Sequence, residues 1–139
     1  MKLLCLSTKL SDEQAQKIWS QKPQFREIKD FGLTTGQNYW VYGITILGGE
    51  PWVYVLSPSE YLHPVPLCLF RVIDGQVSKY WIANLDLQGN LEISYPTIVD
   101  NPYYLDKLSE SNPATVEDFQ RIQQLLSAEF EDAKEQGRH

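Results

Sequence analysis

Histidine is almost missing from this chain: it occurs at His63 and at His139, the final residue. Nucleophilic triads normally take their base from histidine, so such chemistry would rest on His63 alone. His63 reads first as an ordinary loop residue, and as a general base or pH-sensitive contact only on the sharper reading. Cysteine occurs twice, as Cys5 in LLCLS and Cys68 in PLCLF. Both read as small apolar strand residues in a reducing compartment, with one disulfide between them as the alternative that spacing leaves open. Cys5, Cys68 and His63 lack the close spacing of a structural zinc site. Neither GxxxxGKS/T nor GxGxxG occurs, and Gly48-Gly49 leads into an apolar run rather than a helix N-terminus. No metal and no cofactor is therefore expected.

Long apolar runs are also lacking. Nothing approaches the roughly 20 residues needed to span a bilayer. Leu3–Leu6 is too short for a secretory leader, and no small-residue cleavage site follows. A cytoplasmic protein with no membrane contact is expected. Basic charge is scarce: 12 Lys and Arg face 18 Asp and Glu, for a net −6 and a pI near 4.8. Phosphate contacts need clustered cations, so nucleic acid is not expected as a partner. The charge drifts along the chain, from +2 over residues 1–36 to −3 over 37–98 and −5 over 99–139. The acidic end reads as a solvated helix face, or, more sharply, as a surface for a basic partner.

What remains is apolar and aromatic. Hydrophobic residues make up 42% of the 139, enough for one independently folded domain. Aromatics reach 12%, and a short aromatic pattern occurs twice, as Tyr39-Trp40-Val41 and Tyr80-Trp81-Ile82. In both copies Ile or Leu then alternates toward a glycine. Strands leading into glycine turns converge on this pattern easily, so two similar strands are expected rather than a duplication.

Near the N-terminus, Leu3–Leu6 reads as a strand. Ser11 and Gln14 have capping-box spacing, Ile18 and Trp19 supply an apolar stripe, and Pro23 ends the element, which predicts a helix over 12–21. The stretch FREIKDF (25–31) is ambiguous. Residues 38–47 and 52–56 are rich in β-formers around Gly48-Gly49-Glu50-Pro51, which predicts a hairpin. Alternation puts Trp40, Tyr42, Ile44 and Ile46 on one face and Tyr39, Val41, Thr45 and Leu47 on the other, both largely apolar. Pro58, Pro64 and Pro66 keep the 57–66 loop out of a sheet interior. Asp74-Gly75 predicts a second hairpin, joining 67–73 to 77–85. Beyond it Trp81, Ala83, Leu85 and Leu87 share the covered face, and Asn84, Asp86 and Gln88 a wet one. Gly89-Asn90 turns into Leu91–Tyr95. After a proline-bearing connection, Asn112 or Thr115 caps a final helix over 115–135, with Val116, Phe119, Ile122, Leu126, Phe130 and Ala133 as its stripe. The order predicts an α+β domain: an antiparallel meander of about five strands, an N-terminal helix and a long C-terminal helix packed on one face.

No motif in this chain carries a known chemistry. The function expected is non-enzymatic binding of a protein partner, as an adaptor, inhibitor or immunity-type domain. The alternative is a small-molecule site or enzyme with an aromatic-lined pocket, and a homodimer is a third reading. Candidate contact residues are the hairpin rings Trp40, Tyr42, Trp52, Tyr54 and Trp81, where Tyr and Trp are the usual hot-spot types. To these are added the paired tyrosines Tyr103 and Tyr104 in a rigid loop. His63 and the carboxylates Asp86 and Glu92, flanking one turn, would supply polar chemistry.

Overall fold

A computed structural model describes residues 1–21 and 30–135, with the backbone alone at 19–21 and 131–135. The elements in chain order are β1 (Lys2–Cys5), α1 (Asp12–Gln21), β2 (Asn38–Leu47), β3 (Glu50–Leu56), β4 (Leu62–Pro66), β5 (Phe70–Asp74), β6 (Ile82–Leu85), β7 (Leu91–Ser94), α2 (Pro96–Val99), α3 (Tyr104–Ser109) and α4 (Pro113–Glu135). All strand pairings are antiparallel. The architecture is α+β, with a helix near the start and a long one at the end.

α1 opens on a reciprocal capping box. The Ser11 amide donates to Gln14 Oε1 at 2.9 Å, and the Gln14 amide to Ser11 Oγ at 3.1 Å. Ala15 and Ile18 are buried beneath it. The helix stop at Pro23 and most of the ambiguous 25–31 stretch lie outside the described residues. At the other end of the chain, Asn112 rather than Thr115 caps α4. Its Oδ1 accepts from the Thr115 amide at 3.1 Å, and Pro113 follows at the first helical position, where no amide donor is needed. Phe119, Ile122 and Leu126 of the expected stripe are buried, and Ala133 lies beyond the described side chains.

The β2–β3 turn is tighter than the sequence suggests. Gly48 (φ 58°) and Gly49 (φ 83°) form a two-residue turn whose twist matches the strands, so Glu50 and Pro51 already pair with Leu47 and Ile46. Between Val41 and Gly43 the register slips, leaving Tyr42 as a bulge. The buried Ser94 hydroxyl satisfies the bulged carbonyl, donating to Tyr42 O at 2.6 Å. The slip also corrects the expected faces. Ile44 packs on the same core as Tyr39 and Val41, while Trp40 and Tyr42 belong to the opposite one.

A strand unforeseen in the sequence, β4, occupies the proline-bearing segment and pairs with β3. Pro64 and Pro66 alternate with His63 and Val65, so the missing amides fall on its free side. The sheet order is β4-β3-β2-β1-β5. Only a 3-10 turn, Leu67–Leu69, carries the chain from β4 at one end of that order to β5 at the other. A flat sheet would separate those strands by about 19 Å, whereas three such residues advance about 6 Å. The sheet must therefore curl until its ends approach. Leu3, Cys5, Tyr39, Val41, Val53, Val55, Val65 and Leu69 form one core of the curled sheet. Tyr42, Tyr54 and Leu62 form a second with Tyr95, Ile98, Tyr104, Phe119, Ile122 and Leu126 from the last β-strand's end and the C-terminal helices.

The hairpin expected at Asp74-Gly75 does not form. Gly75 lacks the positive φ that a two-residue hairpin demands. Asp74 Oδ1 instead accepts the Gln76 amide at 2.9 Å, and β5 pairs with β1. The hairpin that does form joins β6 to β7, and β7 pairs in turn with β2 at Gly43–Ile46. Gly43 is required there. A Cβ would sit 2.7 Å from Ser94 Oγ and 2.7 Å from the Tyr54 ring.

Candidate functional site

Register places the exposed apolar residues together. β1 and β7 meet the same side of β2 one after the other, at Asn38–Trp40 and at Gly43–Ile46. β5 lies outside β1 and β6 lies outside β7. The two outer strands therefore share one flank of the sheet. That flank carries Val72 (48% exposed), Ile73 (50%), Val77 (51%), Ile82 (39%), Leu85 (67%) and Leu87 (107%). All four residues of β6 are exposed. The expected covered face through Ala83, Leu85 and Leu87 is thus open, although α2 packs near the hairpin. The link from β5 is held down by the Lys79 amide, which donates to Glu129 Oε2 of α4 at 2.7 Å.

Most of the candidate rings are structural. Trp52 is 1% exposed and meets Phe31 edge-on at 6.2 Å. Tyr42 is buried against Phe119 at 5.1 Å. Burial raises its hydroxyl pKa, which a side-chain hydrogen bond with Gln123 offsets in part. Trp81 is half-buried and meets Tyr95 edge-on at 6.3 Å; neither its Nε1 nor the Tyr95 hydroxyl makes a hydrogen bond of good geometry. Trp40 is half-buried, with Phe130 tilted against its ring at 4.7 Å and Lys2 Nζ 5.2 Å from the ring centroid. Trp40 and Tyr42 also line a cleft of about 370 Å³ with Thr34, Gln37, Asn38, Tyr39, Leu56, Ser57 and Pro58.

The polar candidates do not converge. Asp86 is consumed by its own turn: Oδ1 accepts the amides of Gln88 (2.8 Å) and Asn90 (2.9 Å). These bonds hold its carboxyl below the ordinary range. Glu92, on β7, instead accepts a short hydrogen bond from the Tyr54 hydroxyl. Half-burial raises the Glu92 pKa, outweighing that bond, and burial beside Glu92 pushes Tyr54 up strongly. Tyr54 and Glu92 border a smaller cleft of about 170 Å³ with Asn101, Pro102, Tyr104 and Asp106. His63 is not in a loop but on β4 opposite Val55; burial lowers its pKa, and its Nε2 has no partner among the described residues.

The paired tyrosines split. Tyr103 is 63% exposed, whereas Tyr104 is buried and donates to Asp118 Oδ2 at 2.8 Å. Thr97 donates to the same oxygen at 2.7 Å, so Asp118 ties α2 and α3 to α4. The sequence offered Asp118 only as a capping partner three residues after Thr115; its bonds to Thr97 and Tyr104 had no signal there. Cys5 is buried and Cys68 exposed, and both are free. Among the described residues no group of acidic, histidine or cysteine side chains has the arrangement of a metal site. None of the described helices is long and apolar enough to cross a membrane.

No protein-family model matches the chain, and no solved structure matches it. Among curated proteins it is similar to tRNA pseudouridine synthase A of Polynucleobacter asymbioticus, with 29% identity over 73 residues. That stretch is 49% of this chain and 26% of the relative, so the chain spans about a quarter of that protein's length.

Proposed function

We propose that this is a non-enzymatic protein-binding domain whose contact surface is the outer flank of the sheet, centred on β6. One observation carries the reading: β6 is an outermost strand with every side chain exposed, no proline, no charge, large apolar side chains at Ile82 and Leu85, and Leu87 exposed just beyond it. Outer strands ordinarily carry lysine, proline or a covering element, because their unpaired amides and carbonyls attract other strands. Strand addition to β6 would use those groups, with Leu85 and Leu87 as apolar anchors. The net charge of −6 favours encounter with a basic partner by electrostatic steering. The same charge works against contact with an RNA backbone such as that of the tRNA in the relative's name. A second copy of the chain is the competing occupant of the same flank.

Photo-crosslinking tests this in the cells of origin. A photoreactive phenylalanine analogue at position 85 is expected to trap a discrete adduct, while the same analogue at Tyr61, exposed but away from β6, traps none. An adduct of twice the chain mass would assign the flank to self-association. No adduct at 85, or equal trapping at both positions, would remove the flank as the contact surface.

A further inference from the structure

We infer that β6 takes an extended partner segment, added antiparallel, whose residues read basic, apolar, polar, apolar. This rests on the reading of the outer flank as a contact surface, and names what that surface selects. The turn after β6 sets its hydrogen-bond phase. The Asp86 amide donates to Asn90 O at 3.0 Å, one step beyond the Leu85–Leu91 pair. Backbone groups alternate in direction along an antiparallel strand, so Ile82, Asn84 and Asp86 bond inward to β7. Ala83 and Leu85 therefore turn their N–H and C=O groups outward, and β6 pairs with no other described strand. α2 packs near β6, yet all four of its residues stay exposed. An added strand must bond at Ala83 and Leu85, and proline opposite either would lack the amide that donates. Every pairing in this sheet is antiparallel, the more stable ladder per residue.

Side chains define the rest of the segment. Ala83 and Leu85 share one face with Ile93 and Leu91, which lie opposite them on β7. Partner residues opposite Ala83 and Leu85 extend that face and are apolar. The other face carries Asn84 and Asp86, with Glu92 opposite Asn84. Residues 82–94 contain these two carboxylates and no basic side chain. Asp86 is exposed, and its Oδ1 is fixed by the amides of Gln88 and Asn90 at 2.8 and 2.9 Å. A partner residue opposite Asp86 falls in a non-hydrogen-bonded pair, where side chains lie closest, with Cα atoms about 4.5 Å apart. Lysine or arginine there is favoured, since opposite charges paired across strands stabilise. A second copy of β6 matches the backbone but not the charge. With Ala83 opposite Leu85 of the second copy, Ile82 of that copy would face Asp86.

The test titrates the full chain with a blocked hexapeptide, Thr-Lys-Val-Thr-Val-Thr, and follows amide hydrogen exchange by NMR. In the antiparallel register its lysine meets Asp86 and its valines meet Leu85 and Ala83. Saturable binding in the millimolar range is expected, with exchange slowed at Ala83 and Leu85 and unchanged at Asn84, whose amide already bonds to β7. A peptide with glutamate for lysine should bind roughly fivefold more weakly. One with both valine nitrogens methylated should bind roughly tenfold more weakly. Asp86→Asn keeps the oxygen that accepts the turn amides, and should erase the preference for lysine over glutamate. Equal binding of the methylated peptide, protection at Asn84 in place of Ala83, or a lysine preference that survives Asp86→Asn would overturn the proposal. Crosslinking at position 85 without hexapeptide binding would overturn strand addition and leave the flank as a contact surface. Absence of crosslinking would remove the flank, and this proposal with it.

Discussion

β4 and β6 are both short outermost strands, and the chain treats them in opposite ways. β4 turns Pro64 and Pro66 along its free side and buries Leu62 and Val65. β6 has no proline and buries none of its four residues. One edge is sealed against further strands and anchored in both cores; the other pairs with a single strand, β7, and keeps its side chains exposed. A domain that needed only to be stable would have little use for the second arrangement. The contrast separates residues that hold the fold from residues free to meet something else.

Substitutions should respect that division. Val65→Ala removes two fully buried methyl groups from β4 and is expected to cost about 2–3 kcal/mol in urea unfolding. Gly43→Ala, at the seam where the β6–β7 hairpin joins β2, forces Ser94 or Tyr54 to move and should cost about 1–3 kcal/mol by the same measurement. A loss under about 0.5 kcal/mol at either position would break the comparison, since that is the range of ordinary surface changes.

Acidity offers a finer test, because β4 and β7 respond with opposite sign. Burial lowers the pKa of His63, so below about pH 6.5 the unfolded chain takes up a proton that the native chain refuses. Its contribution to stability is lost as pH falls, and His63→Gln should flatten that limb of the stability profile. Burial raises Glu92, so the native chain holds a proton longer than the unfolded one. Its contribution is lost as pH rises above the ordinary glutamate value of 4.5, and Glu92→Gln should remove that slope. The smallest effect is expected at Leu85→Ser on β6. Stability should change by under about 0.5 kcal/mol, while trapping of a partner from a neighbouring position falls sharply.

The α+β class, the capping box at Ser11 and the stripe of α4 were legible in the sequence because each depends on residues close in the chain. The Gly48-Gly49 hairpin was legible for the same reason. What was not legible depends on distant partners. Asp74-Gly75 carries a strong local hairpin signal, yet β1 competes for β5 and wins, so the turn is never made. Pro64 and Pro66 read as loop residues until β4 is seen to pair on one side only, with β3. Which aromatic rings are buried was not legible either: Trp52 enters one core, and Tyr42, Tyr54 and Tyr104 the other. Leu85 and Leu87 alternate as a buried strand would, yet both stay exposed, because burial depends on which distant elements pack over a strand and not on its own pattern.

The β1–β5 pairing has a further consequence, for the order of events in folding. Leu3 lies opposite Val72, about 70 residues away in the chain. The β2–β3 hairpin can form from neighbouring residues, but Leu3 and Cys5 have no final neighbour on their other side until β5 exists. Closing so long a loop costs entropy before any contact repays it, and non-local pairing of this kind slows folding. A growing chain must therefore carry β1 without its second neighbour from the time β2 is made until residue 74 is available, and only then can the curl of the sheet close.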